Sequence, residues 1–559
     1  MPSFFLRHFA FAFGLAIATP VSSPASVLDL LQQVPTSNST LQEALDAIAM
    51  GHTGRARALV QPVLALNPDL AAAHEILGVI EAAEGAIDPA IASFKRAVEL
   101  NPGQGTAVTK LGDVYSAIGD RASARHYYLR ALTILPDDRL THQRLGLMAE
   151  EDGDIGAAIR HFEAGIQGTP QDYLGVKLNL ALLYNLTGAY DKTIEMLAPL
   201  AEETRPALLH RALANARLGQ GDTADAIVHY KLALARDPDD LASRLGLGIA
   251  LTKAEDIEAA IAELSTLNVA DPTDPDVAIA LARAYIAAND IPTGIKVLDA
   301  TLSADAPAPM QLLIEAAGMH MAEGDYAAAE ARWHIARDHH PEAVAGYLGL
   351  GSLLGFQLRY EEASDVLAEG LVLAPDHPGM LRAAMRASQQ LGQQSQALEH
   401  ANRLSETGVA QPQDLFIKAA LEESVGAPDA AIATYHDLIA AAPEFWPALN
   451  NLAVLLTDAG DFSEALDMAT VAHALAPKNA AVTHTLGRAL FHAGDAEAAA
   501  TMLEQAVALA PENTSYLAHL AEVELALGHV EAARATLKRA RASGLDEVTA
   551  TELEARIGG

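Results

Sequence analysis

The chain has 559 residues, with 37 Lys plus Arg against 72 Asp plus Glu, a formal charge of −35, and half of its residues apolar. That apolar content excludes a disordered chain, and the acidic balance excludes general nucleic-acid binding, which needs a basic surface to displace counterions. The absence of cysteine excludes disulfides, thiolate metal sites, iron–sulfur clusters, a cysteine nucleophile and a lipid anchor on an N-terminal Cys.

In chain order, the first element is a targeting segment. Arg7 and His8 precede the apolar run Phe9 to Ala18, and the short stretch TPVSSPAS follows. This is the order of a secretory signal peptide, with Ser23 and Ala25 as the small residues before a cut after Ala25. The run is too short to cross a bilayer of about 30 Å as a helix. Residues 1–25 are therefore read as a signal peptide and 26–36 as a lead-in. The expected mature chain is exported to the periplasm or beyond, soluble, without a transmembrane span, and not a lipoprotein.

The next feature is a period. Prolines stand at 68, 102, 136, 170, 238, 272, 341, 375, 443, 477 and 511, on a step of 34 with one extra residue at 309. The step fills 11 of 15 slots and defines fifteen units: eight over 37–308 and seven over 309–547, with a tail at 548–559. Numbering each unit 1–34 places these prolines at position 32. Position 20 is Ala in thirteen units, from Ala56 and Ala90 to Ala533. Position 15 is Gly in eleven, position 8 is small in thirteen, and position 24 carries rings such as Phe94, Tyr128, Phe162, Tyr230, Trp333 and Tyr435.

Each unit holds two amphipathic stretches with apolar spacing near 3.6. In the second unit these are 71–84, with Ile76, Leu77 and Ile80, and 89–100, with Ile91, Phe94, Val98 and Leu100. Glycine at position 15 suits the left-handed residue that ends the first helix, helix A. Asp at position 16 (Asp120, Asp154, Asp222, Asp325, Asp461, Asp495) can cap the second, helix B. Asp88-Pro89 reads as a cap followed by a first-turn proline.

The small–small–large pattern resembles the tetratricopeptide repeat over more than nine-tenths of the chain. The resemblance implies an all-α solenoid, a right-handed superhelix of about fifteen helix-turn-helix units in which each unit packs on its neighbours. Unit five departs, with Thr187 for the turn glycine, Lys192 for the packing alanine and Thr204 for the proline. Unit eight has Asn289, Gly294 and Ala306 at those sites and ends in the loop 304–309. That loop reads either as a joint between the two blocks or as an insertion within one continuous superhelix. The tail 548–559 reads as a capping helix.

Chemistry-bearing motifs are sparse. There is no GxxxxGK or HExxH motif, and Gly346 to Gly355 lies inside an expected helix A, where Gly349 and Gly351 serve close packing. No catalytic residue, cofactor or metal site is assigned, and the chain is read as a non-enzyme.

The resemblance places a concave groove on helix A, mainly at positions 2, 5, 9, 12 and 13. It offers two known codes. The Asn ladder at position 6 of O-linked N-acetylglucosamine transferases is reduced here to Asn451, and the chaperone carboxylate clamp fails because Lys177 meets Ala181. The groove positions hold seven basic residues (Lys177, Arg211, Lys253, Arg283, Arg382, Arg386, Arg488). They hold eight acidic ones (Glu75, Asp113, Glu150, Glu151, Asp276, Glu423, Asp458, Glu522).

The densest polar strip is Arg382, Arg386, Asn450, Asn451, His484, Arg488 and His492, with His519 and Glu522 alongside. His484, Arg488 and His492 share a helix face by their i, i+4, i+8 spacing. The strip reads either as a solvated face or as a site for an acidic partner segment, with Arg suited to carboxylates. On the second reading, His protonation near pH ~6 strengthens binding, and reversing Arg382, Arg386 and Arg488 leaves folding intact. The expected function is an exported scaffold that binds protein or peptide in bacterial envelope assembly, at a pilus, secretion or exopolysaccharide machine. The alternatives are groove binding of an acidic polysaccharide and a non-catalytic subunit of a separate enzyme.

Overall fold

The computed structural model describes residues 39–166, 174–201, 206–302 and 307–558. The signal and lead-in segments expected at 1–25 and 26–36, Thr204, and residues 304–306 of the loop 304–309 lie outside the described residues. Among the described residues there are 31 helices and no strand. They fall into two compact bodies divided between Leu302 and Ser303. The first runs from helix Ser39–Ala49 to helix Ile291–Thr301 as eight helical hairpins. The second runs from Met310–Ala322 to Ala542 as seven hairpins and ends on the single helix Glu547–Gly558. Each body is a solenoid of stacked hairpins.

The second unit shows why these residues fold this way. Helix A, Ala71–Ala83, buries Ala73, Ile76, Val79 and Ile80. Helix B, Ile87–Leu100, buries Ala90, Phe94 and Ala97 against them. Gly78 lets the Phe94 ring lie on the helix A backbone, since a Cβ there would stand 2.8 Å from the ring. The glycines of unit ten serve the same end. A Cβ on Gly349 would meet the Trp333 ring at 2.6 Å, and one on Gly351 the Leu367 side chain at 2.6 Å. The expected close-packing role of both is what the structure shows.

The turn between helices A and B needs a left-handed residue, and position 15 supplies it in every unit but the fifth. Three units do so without glycine, at Glu255, Asn289 and Leu358, with φ of +62°, +60° and +62°. Unit five is a correction. Its helix A, Leu174–Thr187, runs one residue longer, and the left-handed residue is Gly188, φ +79°. The frame slips by one. Thr193 therefore fills the packing slot, fully buried, with its hydroxyl donating to the Ala181 carbonyl at 3.2 Å. Lys192 is displaced outward and pairs with Glu163 at 2.9 Å.

Helix B capping follows the sequence at Asp120, Asp154, Asp222, Asp325 and Asp495, each accepting a first-turn backbone N–H. Asp461 makes no such bond. Asp88 is not a cap either: helix B of unit two begins at Ile87 and places Asp88 within its first turn.

A further tie recurs where one unit meets the next. The position 32 proline carbonyl accepts from the position 4 side chain of the following unit: His74 to Pro68 at 2.8 Å, His142 to Pro136 at 2.8 Å, Arg244 to Pro238 at 3.0 Å and Tyr347 to Pro341 at 3.1 Å. Proline ends the helix and leaves this carbonyl open to a side-chain donor. At the C-terminus, helix Glu547–Gly558 lays Ala550, Leu553 and Ile557 on Ala533 and Leu537 of the last unit.

Candidate interaction groove

In the first body the groove-position carboxylates of units two and three, Glu75 and Asp113, are internal, while Glu151 of unit four is exposed. Glu75 is fully buried and accepts from Lys110 Nζ at 2.9 Å and from Gln104. Asp113, on the next helix A, accepts from the Tyr128 hydroxyl at 2.8 Å and from Arg144 at 3.2 Å. Burial pushes the Asp113 carboxyl up, against the pull of Arg144 and the Tyr128 hydroxyl. Unit six repeats the idea: the Tyr230 hydroxyl donates to Asn215 at 2.6 Å, and Arg211 pairs with Asp240 at 2.6 Å. The position 24 ring thus fills the hairpin with its body and ties a groove side chain with its hydroxyl.

In the second body the predicted strip divides into committed and open side chains. Arg382, on helix Pro378–Gln390, donates to Asp414 at 2.8 Å and to the Val409 carbonyl at 2.9 Å, tying unit eleven to unit twelve. Asp414 is 5% exposed. Arg386, one turn on, is exposed, and no ion pair to it occurs among the described residues. Asn450 donates to Asn451 at 3.3 Å, Asn451 donates to the Tyr435 hydroxyl at 3.1 Å, and that hydroxyl donates to Glu423 at 2.6 Å. This chain runs in line from Asn450 to Glu423, and the buried Asn450 Oδ1 has no hydrogen-bond partner among the described residues. Phe416 lies beside it, 5.5 Å from the Phe445 ring and 6.1 Å from the Tyr435 ring.

His484, Arg488 and His492 share helix Ala480–His492, but each engages a different partner. The His484 ring stacks on Tyr516 at 4.3 Å and its Nε2 meets His519 Nδ1 at 2.9 Å, toward unit fifteen. Arg488 turns the other way to Asp458 at 3.2 Å, and His492 stacks on Phe462 at 5.1 Å. Burial, then the His519 and Arg488 charges, push His484 down to about 3, and burial lowers His519 as well. The expectation that His484 protonates near pH 6 is corrected: it is neutral there. The expectation that reversing Arg382 leaves folding intact is corrected too, because a carboxylate in place of the Arg382 guanidinium would face Asp414 across an inter-unit contact.

Several of the groove charges are therefore taken up in ion pairs between neighbouring units. The signal was available as opposite charges about one repeat apart: Glu75 and Lys110, 35 residues; Asp113 and Arg144, 31; Arg211 and Asp240, 29; Arg382 and Asp414, 32; Asp458 and Arg488, 30. Asp414, Phe462 and Tyr516 lie at unit positions 3, 17 and 3, outside the five groove positions, and so were not in the expected strip. Among the described residues no group of three or more His, Asp or Glu is arranged to hold a metal ion, and no helix is long and apolar enough to cross a membrane.

A family model described as tetratricopeptide repeat matches residues 41–105, 109–173, 279–331, 316–378 and 421–480, and a second of the same description matches 217–278, 456–518 and 490–557. No curated protein matches the chain. Among solved structures, the chain is similar to one described as the APC/C hetero-tetramer Cut9-Hcn1, at 15% identity over 89% of this chain and 98% of that one, TM-score 0.33. It is also similar to YrrB, described as a TPR protein with an unusual peptide-binding site, at 16% identity over 33% and 95%, TM-score 0.32. A tetratricopeptide repeat protein from Parabacteroides merdae is 18% identical over 45% and 99%, TM-score 0.32.

Proposed function

Since the chain belongs to the tetratricopeptide repeat family, we propose that it is a binding scaffold rather than an enzyme, and that it takes an acidic segment of a protein partner along the helix A face of units eleven to fourteen. The observation that carries this reading is Arg386. It stands exposed on a face where Arg382 and Arg488 are already held by Asp414 and Asp458. An unpaired guanidinium there is a ready fork for a carboxylate. Gln389 and Gln390 on the same helix, and the half-buried Phe416 on the next helix A, add amide and aromatic contact area.

The signal-like order of residues 1–25 supports export, and with it a place in bacterial envelope assembly. The strip residues Asn450, Asn451 and His484 act in this reading as the frame of the groove, while Arg386 and the outer edge of Arg488 and His492 meet the partner.

The test is fluorescence anisotropy with a labelled, extended Glu-rich peptide, comparing wild type with Arg386→Glu and Arg386→Gln. A charge-assisted hydrogen bond of about 1.5–3 kcal/mol corresponds to roughly 10–100-fold weaker binding on reversal, with a shallower salt dependence. Equal affinity in the folded reversal variant would refute the assignment of Arg386.

A further inference from the structure

Helix A position 4 and helix B position 23 face each other within a hairpin, and in unit seven they hold an ion pair, Arg244 to Glu263 at 2.8 Å. In unit four the same two positions hold imidazoles. His142, on helix Arg139–Glu151, and His161, on helix Ile155–Gly165, bring their Nδ1 atoms to 3.1 Å, with ring centroids 5.4 Å apart. Both side chains are half-buried and reach solvent.

The protonation pattern is fixed by the far side of His142. Its Nε2 lies 2.8 Å from the Pro136 carbonyl, which has no proton to give, so Nε2 carries the hydrogen and Nδ1 presents a lone pair. A carbonyl holding the distal N–H is the usual support behind a metal-ligating histidine. His161 now donates its Nδ1–H to that lone pair. Moving this hydrogen to Nε2 frees both Nδ1 lone pairs, with no net proton released, and a turn of the two rings lets both reach a metal standing roughly 1.3 Å off the line between the nitrogens.

We propose that His142 and His161 form a two-imidazole site for a divalent late first-row transition-metal ion, copper(II) ahead of zinc(II). With metal–nitrogen bonds of about 2.0–2.1 Å, nitrogens 3.1 Å apart subtend roughly 100° at the metal, a cis pair that leaves the remaining positions to water. Nitrogen ligands with open tetragonal positions favour copper(II), which also heads the affinity order. The charged neighbours of His161 are Arg160, which opposes a cation, and Asp154, which favours one.

Two other pairs lack these conditions. His210 and His229 occupy positions 4 and 23 of unit six with Nδ1 atoms also at 3.1 Å. His210 is 2% exposed, so metal-bound water has no place there, and Arg236 acts on it. The His484–His519 pair lies against Arg488, whose charge lowers the pKa of both imidazoles.

The experiment titrates the untagged full chain with copper(II) in a glycine buffer, read by electron paramagnetic resonance and isothermal calorimetry. Wild type should bind one equivalent above background, with hyperfine structure from two imidazole nitrogens. His161→Phe and His142→Phe should each weaken that equivalent at least tenfold, and His229→Phe should leave it unchanged, with helicity checked by circular dichroism. Absence of the two-nitrogen signal in wild type would overturn the proposal without recourse to any variant. Loss of the equivalent in His229→Phe, or its survival in His161→Phe, would overturn it as well.

Discussion

Replacing Arg382 by alanine separates the two roles that arginines play on this face. The guanidinium holds Asp414 at 2.8 Å and the Val409 carbonyl at 2.9 Å, and Asp414 is almost out of solvent. Removing one partner of a buried ion pair costs about 3–5 kcal/mol. Arg382 keeps 26% of its side-chain surface exposed, so solvent screening brings the expectation down to about 2–3 kcal/mol. The Gln411 backbone N–H still donates to Asp414 at 2.8 Å and limits the loss. Arg386→Ala removes an exposed side chain with no such tie and should change stability by less than about 0.5 kcal/mol. A long repeat array does not unfold in one step, so the assay is native-state hydrogen exchange. Arg382→Ala should lower protection in helix Pro412–Ser424 and in helix Pro378–Gln390, and Arg386→Ala should not. Equal protection in Arg382→Ala and wild type would mean that Arg382 does not tie unit eleven to unit twelve.

The buried His484 and His519 are held neutral, so the unfolded chain takes up protons below its ordinary histidine value while the folded units do not. Units fourteen and fifteen should therefore be fully stable above pH ~6.5 and lose protection progressively as pH falls toward 3, and His484→Gln with His519→Gln should flatten that slope in hydrogen exchange. At the turn, Gly426→Val forces a β-branched residue to φ +78° and should cost about 1–2 kcal/mol, read as a lower melting temperature. Leu358→Gly, at a left-handed position with the side chain 70% exposed, should be neutral or stabilising in the same assay. For export, N-terminal sequencing of protein from whole cells should begin at Ser26, and intact Met1 in the cytosol would refute it.

The fold was legible because its determinants are local and repeat. A left-handed residue at position 15, a small one at 20, a ring or leucine at 24 and a proline at 32 each answer to a steric demand within one hairpin. Unit five misled because Gly188 directly follows Thr187: a one-residue slip in a helix looks, in a fixed frame, like several substitutions. Asp88 misled because Ile87 already starts the helix. The groove was legible as a face but not as a set of free side chains. Whether Arg382 is available depends on Asp414, 32 residues on and at a non-groove position, and that pairing exists only once two units stack. The same holds for His484, whose low pKa comes from the burial and from His519 that the fifteenth unit brings against it.

In the proposed binding mode a partner's acidic segment lies along the helix A face at Arg386. In-cell photocrosslinking from a benzoylphenylalanine at Gln390, beside Arg386 and exposed, tests this placement, with the exposed helix B residue Glu399 as the off-face control. A discrete crosslinked partner is expected from position 390 and not from 399, attached through an acidic stretch and lost when Arg386→Glu is introduced. A partner captured equally from both positions, or one retained undiminished in Arg386→Glu, would contradict it.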